Sequence, residues 1–113
     1  VLRRSAGRQL PVAQELKFPG GIMDGAAHTV TTDNGEDISL TEKEFELFRY
    51  FLTHPGRILP QEELMLRVWG NRGGLGRSRT VAVTLTRLRD KLPAEASARF
   101  ENIRGRGYRW NEV

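Results

Sequence analysis

The feature that most constrains this chain is a basic amphipathic segment followed closely by a turn rich in glycine and arginine. Within residues 78–92, apolar residues recur at steps of four, three and four, which places on one helical face Val81, Leu85, Leu88 and Leu92. At about 100° per residue, the opposite face carries Arg79, Val83, Thr86, Arg87 and Asp90. Residues 104–109 then predict a hairpin tipped by arginine. Because such a helix face suits the DNA major groove, we interpret the pair as a recognition helix and a wing.

The basic charge of the chain is concentrated in this same region. Residues 1–40 carry four basic and five acidic side chains, a net charge of −1. Residues 67–109 carry eleven basic and three acidic side chains, a net charge of +8, against +4 for the whole chain. Fifteen of the 18 basic residues are Arg, whose planar guanidinium suits phosphate and guanine. This one-sided distribution indicates a polyanionic partner. An anionic membrane is the competing polyanion, but the helix lacks the bulky apolar face of an interfacial helix, so we expect no membrane partner.

Length and composition set the outer limits. A chain of 113 residues is long enough for one domain, with residues 11–113 as that domain. Residues 1–10 are polar and basic without a period, so we expect a linker stub from a missing upstream domain. The absence of cysteine excludes disulfides and thiolate metal sites and is consistent with a cytoplasmic setting.

The first half of the domain predicts a small antiparallel sheet followed by a helix. Between Leu16 and Leu40, short alternating runs are broken by turn residues, which predicts three or four strands. The clearest hairpin joins 28–32 to 36–38. Thr41 and Glu44 form a capping box that begins the first helix. That helix should end at Pro55-Gly56.

The second half predicts two more helices and a hairpin. A second helix should run from about Pro60 to Trp69, with Pro60 in its first turn. The third helix should run from about Ser78 to Leu92, where Pro93 stops it. Two strands, 100–104 and 108–110, flank Gly105-Arg106, a pair suited to a two-residue type II′ turn. The fold class is therefore α+β.

Catalysis and cofactor binding are not indicated. A nuclease would need clustered carboxylates to hold metal, and the basic region contains only Asp90, Glu95 and Glu101, on separate segments. His28 and His54 lie in different predicted elements and have no obvious third metal ligand. The glycines between 70 and 76 match neither the phosphate loop nor the dinucleotide motif. We therefore expect no enzyme activity, no cofactor and no metal.

Several motifs together resemble the effector domain of OmpR/PhoB-type response regulators. They lie in the family's order and spacing over roughly residues 15–112: Leu40-Thr41-Glu42-Lys43-Glu44-Phe45, His54-Pro55-Gly56-Arg57, Glu62-Glu63-Leu64, Val68-Trp69-Gly70, Ser78-Arg79-Thr80-Val81, Arg87-Leu88-Arg89-Asp90-Lys91-Leu92 and Arg104-Gly105-Arg106-Gly107-Tyr108-Arg109. The resemblance implies a winged helix-turn-helix with an N-terminal sheet, three helices and a C-terminal hairpin wing. It also implies that the missing upstream domain is a receiver.

The resemblance also implies particular DNA contacts. Arg87 would read a base and Val83 would make an apolar base contact, while Arg104 would enter the minor groove from the wing. The arginine at the tip, Arg106, is expected to contact phosphate. The other implied phosphate contacts are Trp69, Arg79, Thr84, Thr86, Arg89, Asn102 and Tyr108. From the sequence alone, Trp69 could equally be a core residue.

The resemblance further implies the setting of the whole protein. Its partners would be promoter DNA, generally as direct repeats, and a sensor kinase acting through the receiver. The loop from Gly70 to Arg77 matches the segment that touches RNA polymerase in several family members. The isolated domain would be mainly monomeric away from DNA. The alternatives are a one-component or membrane-anchored regulator, or a winged helix that docks on protein. Protein docking would favour exposed aromatic residues over the arginines of the third helix.

Overall fold

The computed structural model describes residues 15–70 and 78–111. The expected linker, 1–10, and most of the loop after Gly70 lie outside the described residues. The elements in chain order are β1 (Glu15–Phe18), β2 (Gly21–Asp24), β3 (Thr29–Thr32), β4 (Asp37–Ser39), α1 (Glu42–Thr53), α2 (Gln61–Leu64, continued by a π-helical turn, Met65–Trp69), α3 (Ser78–Lys91), α4 (Ala94–Ser97), β5 (Phe100–Ile103) and β6 (Gly107–Trp110). The predicted α+β class is confirmed.

The N-terminal strands form one antiparallel sheet in the order β1-β2-β3-β4. Its inner face is apolar, because Met23 pairs with Val30 and both are fully buried. Alternate residues such as Ile22 and Thr31 face outward and are exposed. The predicted hairpin around Asp33-Asn34-Gly35 is confirmed as the β3–β4 connection.

Helix α1 begins as the sequence predicts. The Thr41 hydroxyl accepts a hydrogen bond from the Glu44 amide, and the Glu44 carboxylate accepts one from the Thr41 amide, at 3.2 and 3.0 Å. This reciprocal capping box satisfies two backbone donors of the first turn. The helix then buries Phe45, Leu47, Phe48, Phe51 and Leu52, so one broad stripe faces the core.

Helix α2 differs from its prediction in two respects. Pro60 does not occupy the first turn; it is the residue before the helix and has an extended backbone with a ψ of 151°. The helix also changes to π geometry at Met65–Trp69, which leaves the backbone carbonyls near its end differently placed from those of an α-helix. The Lys43 ammonium donates to one of them, the Val68 carbonyl, at 3.1 Å. This contact with α1 is long-range, so the local sequence does not predict it.

Helix α3 follows the predicted pattern closely. It ends at Lys91, two residues before Pro93, and its apolar face is buried. A further one-turn helix, α4, follows and buries Ala96. The sequence prediction of three helices missed α4, because a single turn is too short to show a helical period.

The predicted turn of the wing is wrong in type and length. Ile103 pairs with Gly107, so three residues rather than two connect β5 to β6. The Arg106 amide donates to the Ile103 carbonyl at 2.8 Å, and Gly105 has a φ of 75° at the third position of that turn. A positive φ there is typical of a type II turn, whereas type II′ needs it one residue earlier.

An aromatic cluster joins the wing to the helices. The Trp110 ring centre lies 4.9 Å from that of Phe100 and 5.5 Å from that of Phe48, both in edge-to-face geometry. Phe100 also meets Phe51 edge-to-face at 5.1 Å. The base of the hairpin is therefore part of the main core. In residues 15–70 and 78–111, no helix is both long and apolar enough to cross a membrane.

Candidate nucleic-acid interface

Helix α3 presents a polar, basic face to solvent. Val81 and Leu88 are fully buried and fix which side of the helix faces the core. The side chains predicted to face outward, Arg79, Val83, Thr86, Arg87 and Asp90, are all exposed, and Arg89 is exposed as well. Val83 is the one large apolar side chain on this face, with 43% of its surface exposed. The helical spacing of the sequence therefore predicted this face correctly.

The wing is held beside this helix by backbone hydrogen bonds from the segment before α2. The Leu59 amide donates to the Tyr108 carbonyl at 2.7 Å, and the Tyr108 amide donates back to the Leu59 carbonyl at 3.0 Å. The Gly56 amide donates to the Trp110 carbonyl at 2.8 Å. Strand β6 thus has a partner on each edge, β5 on one side and residues 56–59 on the other.

A shallow groove of about 120 Å³ separates α3 from the wing. Thr86 and Arg89 line it from the helix, and Asn102 and Tyr108 line it from the two strands. Four side chains predicted as DNA contacts are therefore adjacent in space, although the chain separates them by up to 22 positions (86 to 108).

The wing tip borders a second groove. It is about 210 Å³ in volume and lies between the tip and the start of α2. Asn102 and Arg106 line it from the wing, and Gln61 and Glu62 line it from α2. The sequence pattern does not connect Gln61 and Glu62 with the site. Only the antiparallel pairing of Leu59 with Tyr108 brings the start of α2 to the wing, so no local pattern could have shown it.

Most arginines of this surface are free to meet an anion. Within the described ranges, no carboxylate pairs with the exposed residues Arg79, Arg87, Arg89, Arg104 and Arg106. Two other basic residues of the same region are internally paired, Arg109 with Glu101 at 2.9 Å and Lys91 with Glu44 at 2.6 Å. Hydrogen bonds from Asn111 and Arg109 lower the pKa of Glu101, so this carboxylate stays ionised beside Arg109.

Three predicted site residues occupy less exposed positions. Trp69 ends the π-helical turn and packs partly against the core, so its indole is half-buried. Tyr108 is likewise half-buried against the core, and Thr84 is half-buried on α3. The predicted polymerase loop lies outside the described residues apart from Gly70, which ends the π-helical turn with a φ of 67°.

The histidines pack on aromatic rings. The ring of His28 stacks on Phe45 with centres 4.0 Å apart, and the ring of His54 stacks on Tyr50 at 4.1 Å. The described part of the chain contains no group of three or more His, Cys, Asp or Glu side chains that could hold a metal ion.

The sequence of this chain matches a known family. Residues 35–110 match the family model described as "Transcriptional regulatory protein, C terminal". The chain therefore belongs to that family, the OmpR/PhoB-type effector domains of response regulators, which are winged-helix DNA-binding domains that control transcription.

Individual relatives agree with this assignment. The chain is 36% identical over 108 residues to the transcriptional regulatory protein TrcR of Mycobacterium tuberculosis, covering 96% of this chain and 41% of the relative. It is 33% identical over 112 residues to the phosphate regulon transcriptional regulatory protein PhoB of Shigella dysenteriae, covering 98% and 47%. The chain thus spans less than half the length of these relatives.

The fold is also similar to that of solved structures. The RstA DNA-binding domain of Klebsiella pneumoniae, solved in complex with the RstA box, superposes with a TM-score of 0.74 at 26% identity, over 88% of this chain and 99% of that domain. The winged-helix architecture predicted from the sequence is confirmed.

Proposed function

We propose that this chain binds specific sites in double-stranded promoter DNA, with α3 in the major groove and Arg104 of the wing in the adjacent minor groove. The observation that carries the proposal is a set of five exposed arginines on α3 and the wing, free of acidic partners in the described residues; Arg89 lines the groove between α3 and the wing, and Arg106 lines the groove beside the wing tip. Such a surface suits the closely spaced phosphates of duplex DNA. The solved RstA structure, which contains the RstA box, supports the same use of this fold.

The proposed contacts divide into two kinds. Arg87 is exposed on the C-terminal half of α3 and would donate two hydrogen bonds to a guanine, while Val83 would touch a thymine methyl group. The phosphate contacts would position these two readers without reading sequence themselves. They are Trp69, Arg79, Thr84, Thr86, Arg89, Asn102, Arg106 and Tyr108. The outer face of α3 carries arginine and threonine rather than aromatic residues, which favours DNA over a protein partner.

The wider role proposed here concerns the whole protein. The effector domain would follow a receiver domain that a sensor kinase phosphorylates, and it would act on direct repeats in the cytoplasm. The segment from Gly70 to Arg77 would contact RNA polymerase. Away from DNA, the isolated domain would be mainly monomeric.

The test is selection of preferred sites from random double-stranded DNA by this domain and by Arg87→Ala. The variant should lose about 1–3 kcal/mol of discrimination at one base pair. Arg49→Ala is a matched control, because it removes the same charge from the exposed side of α1, outside the groove between α3 and the wing.

Two results would count against the proposal. If the natural domain enriches no sequence, it does not bind DNA specifically. If Arg87→Ala selects the same bases as the natural domain at every position, Arg87 does not read sequence. The Arg49→Ala domain should select the same sites as the natural domain.

A further inference from the structure

The last turn of α3 differs from the rest of its basic surface. Arg87 and Arg89 are exposed, but the Lys91 ammonium lies 2.6 Å from the Glu44 Oε1 atom of α1. The Glu44 side chain is only 4% exposed, against 35% for Lys91. Lys91 is thus directed toward the protein, and its charge is neutralised by a nearly buried carboxylate.

Glu44 is itself held firmly. Its Oε1 atom, which accepts from Lys91, also accepts from the Thr41 amide at 3.0 Å. That second hydrogen bond belongs to the capping box that begins α1. The neighbouring Lys43 donates to the Val68 carbonyl at the end of α2. The first turn of α1 therefore makes polar contacts with the ends of both helices of the helix-turn-helix.

The apolar face of α3 does not by itself fix the rotation of the helix, whereas a directional contact can. Burial of Val81, Leu85 and Leu88 holds the helix against α1, but hydrophobic contact has no preferred direction and tolerates small rotations. Side chains that read bases must be held within about 0.5 Å of their working positions. A hydrogen-bonded ion pair has a defined direction and length. The pair between Lys91 and Glu44 is such a contact, and Lys91 lies one helical turn from Arg87.

We propose that Lys91 is a positioning residue, which fixes α3 for DNA recognition through Glu44 and makes no phosphate contact of its own. This inference rests on the proposed DNA binding. It excludes from the DNA contacts a lysine that charge alone would place among them.

The test compares Lys91→Met with Arg89→Met, the exposed basic neighbour on the same helix. Affinity for a selected DNA site is measured at several salt concentrations, on protein shown by circular dichroism to be folded at the assay temperature. Lys91→Met should weaken binding by about two- to thirtyfold at every salt concentration, the range of indirect couplings of this kind. The slope of log K against log salt should not change. Arg89→Met should reduce that slope by about 0.9, the loss of one phosphate contact.

Two further variants separate positioning from general destabilisation. Lys91→Arg keeps a cation that can reach Glu44, so it should restore most of the affinity. The double variant Glu44→Gln with Lys91→Met leaves no unpaired charge in the interior, so it should fold even if Lys91→Met does not. It should lose affinity without a change in the salt slope.

The outcomes distinguish this inference from the proposed function. If the natural domain binds no DNA, the proposed function fails and this inference fails with it. If the natural domain binds and the folded Lys91 variants bind equally well, only the positioning role is overturned. A salt slope reduced by Lys91→Met as much as by Arg89→Met would show instead that Lys91 contacts phosphate.

Discussion

Gly107 is the glycine of the wing whose replacement should be most damaging. Its φ of 142° lies in a region that other residues rarely adopt, and a Cβ atom there would lie 2.1 Å from the Leu59 carbonyl oxygen and 2.9 Å from the Pro60 Cα. The Leu59 segment would have to move away from β6. Gly107→Ala should therefore break the two backbone hydrogen bonds between Leu59 and Tyr108.

The expected cost combines strain and lost hydrogen bonds. An alanine in such a backbone conformation costs about 1–3 kcal/mol. The two backbone hydrogen bonds contribute about 0.5–1.5 kcal/mol each. The variant should thus lose roughly 2–6 kcal/mol of unfolding free energy, out of about 5–15 kcal/mol for a typical domain.

Gly105→Ala provides the matched control in the same hairpin. Its φ of 75° is also left-handed, but nothing lies within 4 Å of the added Cβ atom. Only the conformational cost applies, about 1–2 kcal/mol. Denaturant unfolding gives both free energies, and amide hydrogen exchange at Leu59 and Tyr108 shows whether their pairing opens. Equal destabilisation of the two variants would refute the argument from close approach.

Four other predictions concern the interface and its support. If Val83 contacts a thymine methyl, replacing that thymine by uracil should weaken binding of the natural domain but not of Val83→Ala; equal losses would exclude the contact. Arg106→Ala should reduce the slope of log K against log salt by about 0.9 on every site. Arg104→Ala should lose most affinity on sites with flanking A·T pairs, because their narrow minor groove attracts arginine. Titrations on A·T- and G·C-flanked sites check both arginine variants. If neither variant changes the affinity on any site, the hairpin has only a packing role. Burial raises the pKa of Glu44, but hydrogen bonds from Lys91 and Thr41, with the Lys91 charge, lower it more, so its net pKa lies below the ordinary 4.5. This carboxylate therefore stabilises the fold above pH 4.5, and the contribution is lost as the pH falls through the lower folded value; thermal unfolding of Glu44→Gln should depend less steeply on pH in that range.

Much of the fold follows from local pattern. The spacing of Val81, Leu85 and Leu88 determines which face of α3 is buried, and the outer face follows directly. The capping box at Thr41 and the turn before β4 are also short-range signals, so the sequence predicts them correctly. These features depend on residues no more than a few positions apart, which is why one sequence suffices to find them.

Other features depend on contacts between distant segments. The three-residue turn at the wing tip accompanies the close approach of Gly107 to Leu59, and a Gly-Arg pair alone does not reveal that neighbour. The π-helical turn of α2 ends where Lys43 reaches it from α1. The number of basic residues in 67–109 similarly overestimates how many of them are available to bind an anion, because Lys91 and Arg109 are paired with carboxylates.

The placement of the core explains how the wing can be both anchored and available to DNA. Phe100 and Trp110, at the start of β5 and the end of β6, are buried in the aromatic cluster with Phe48. Arg104 and Arg106, at the other end of the same strands, are exposed and make no ion pair in the described residues. Substitution at the base therefore removes packing that stabilises the whole domain, whereas substitution at the tip removes charge and little packing. Because the two ends are separated in this way, substitution of Arg104 or Arg106 is expected to leave the fold intact.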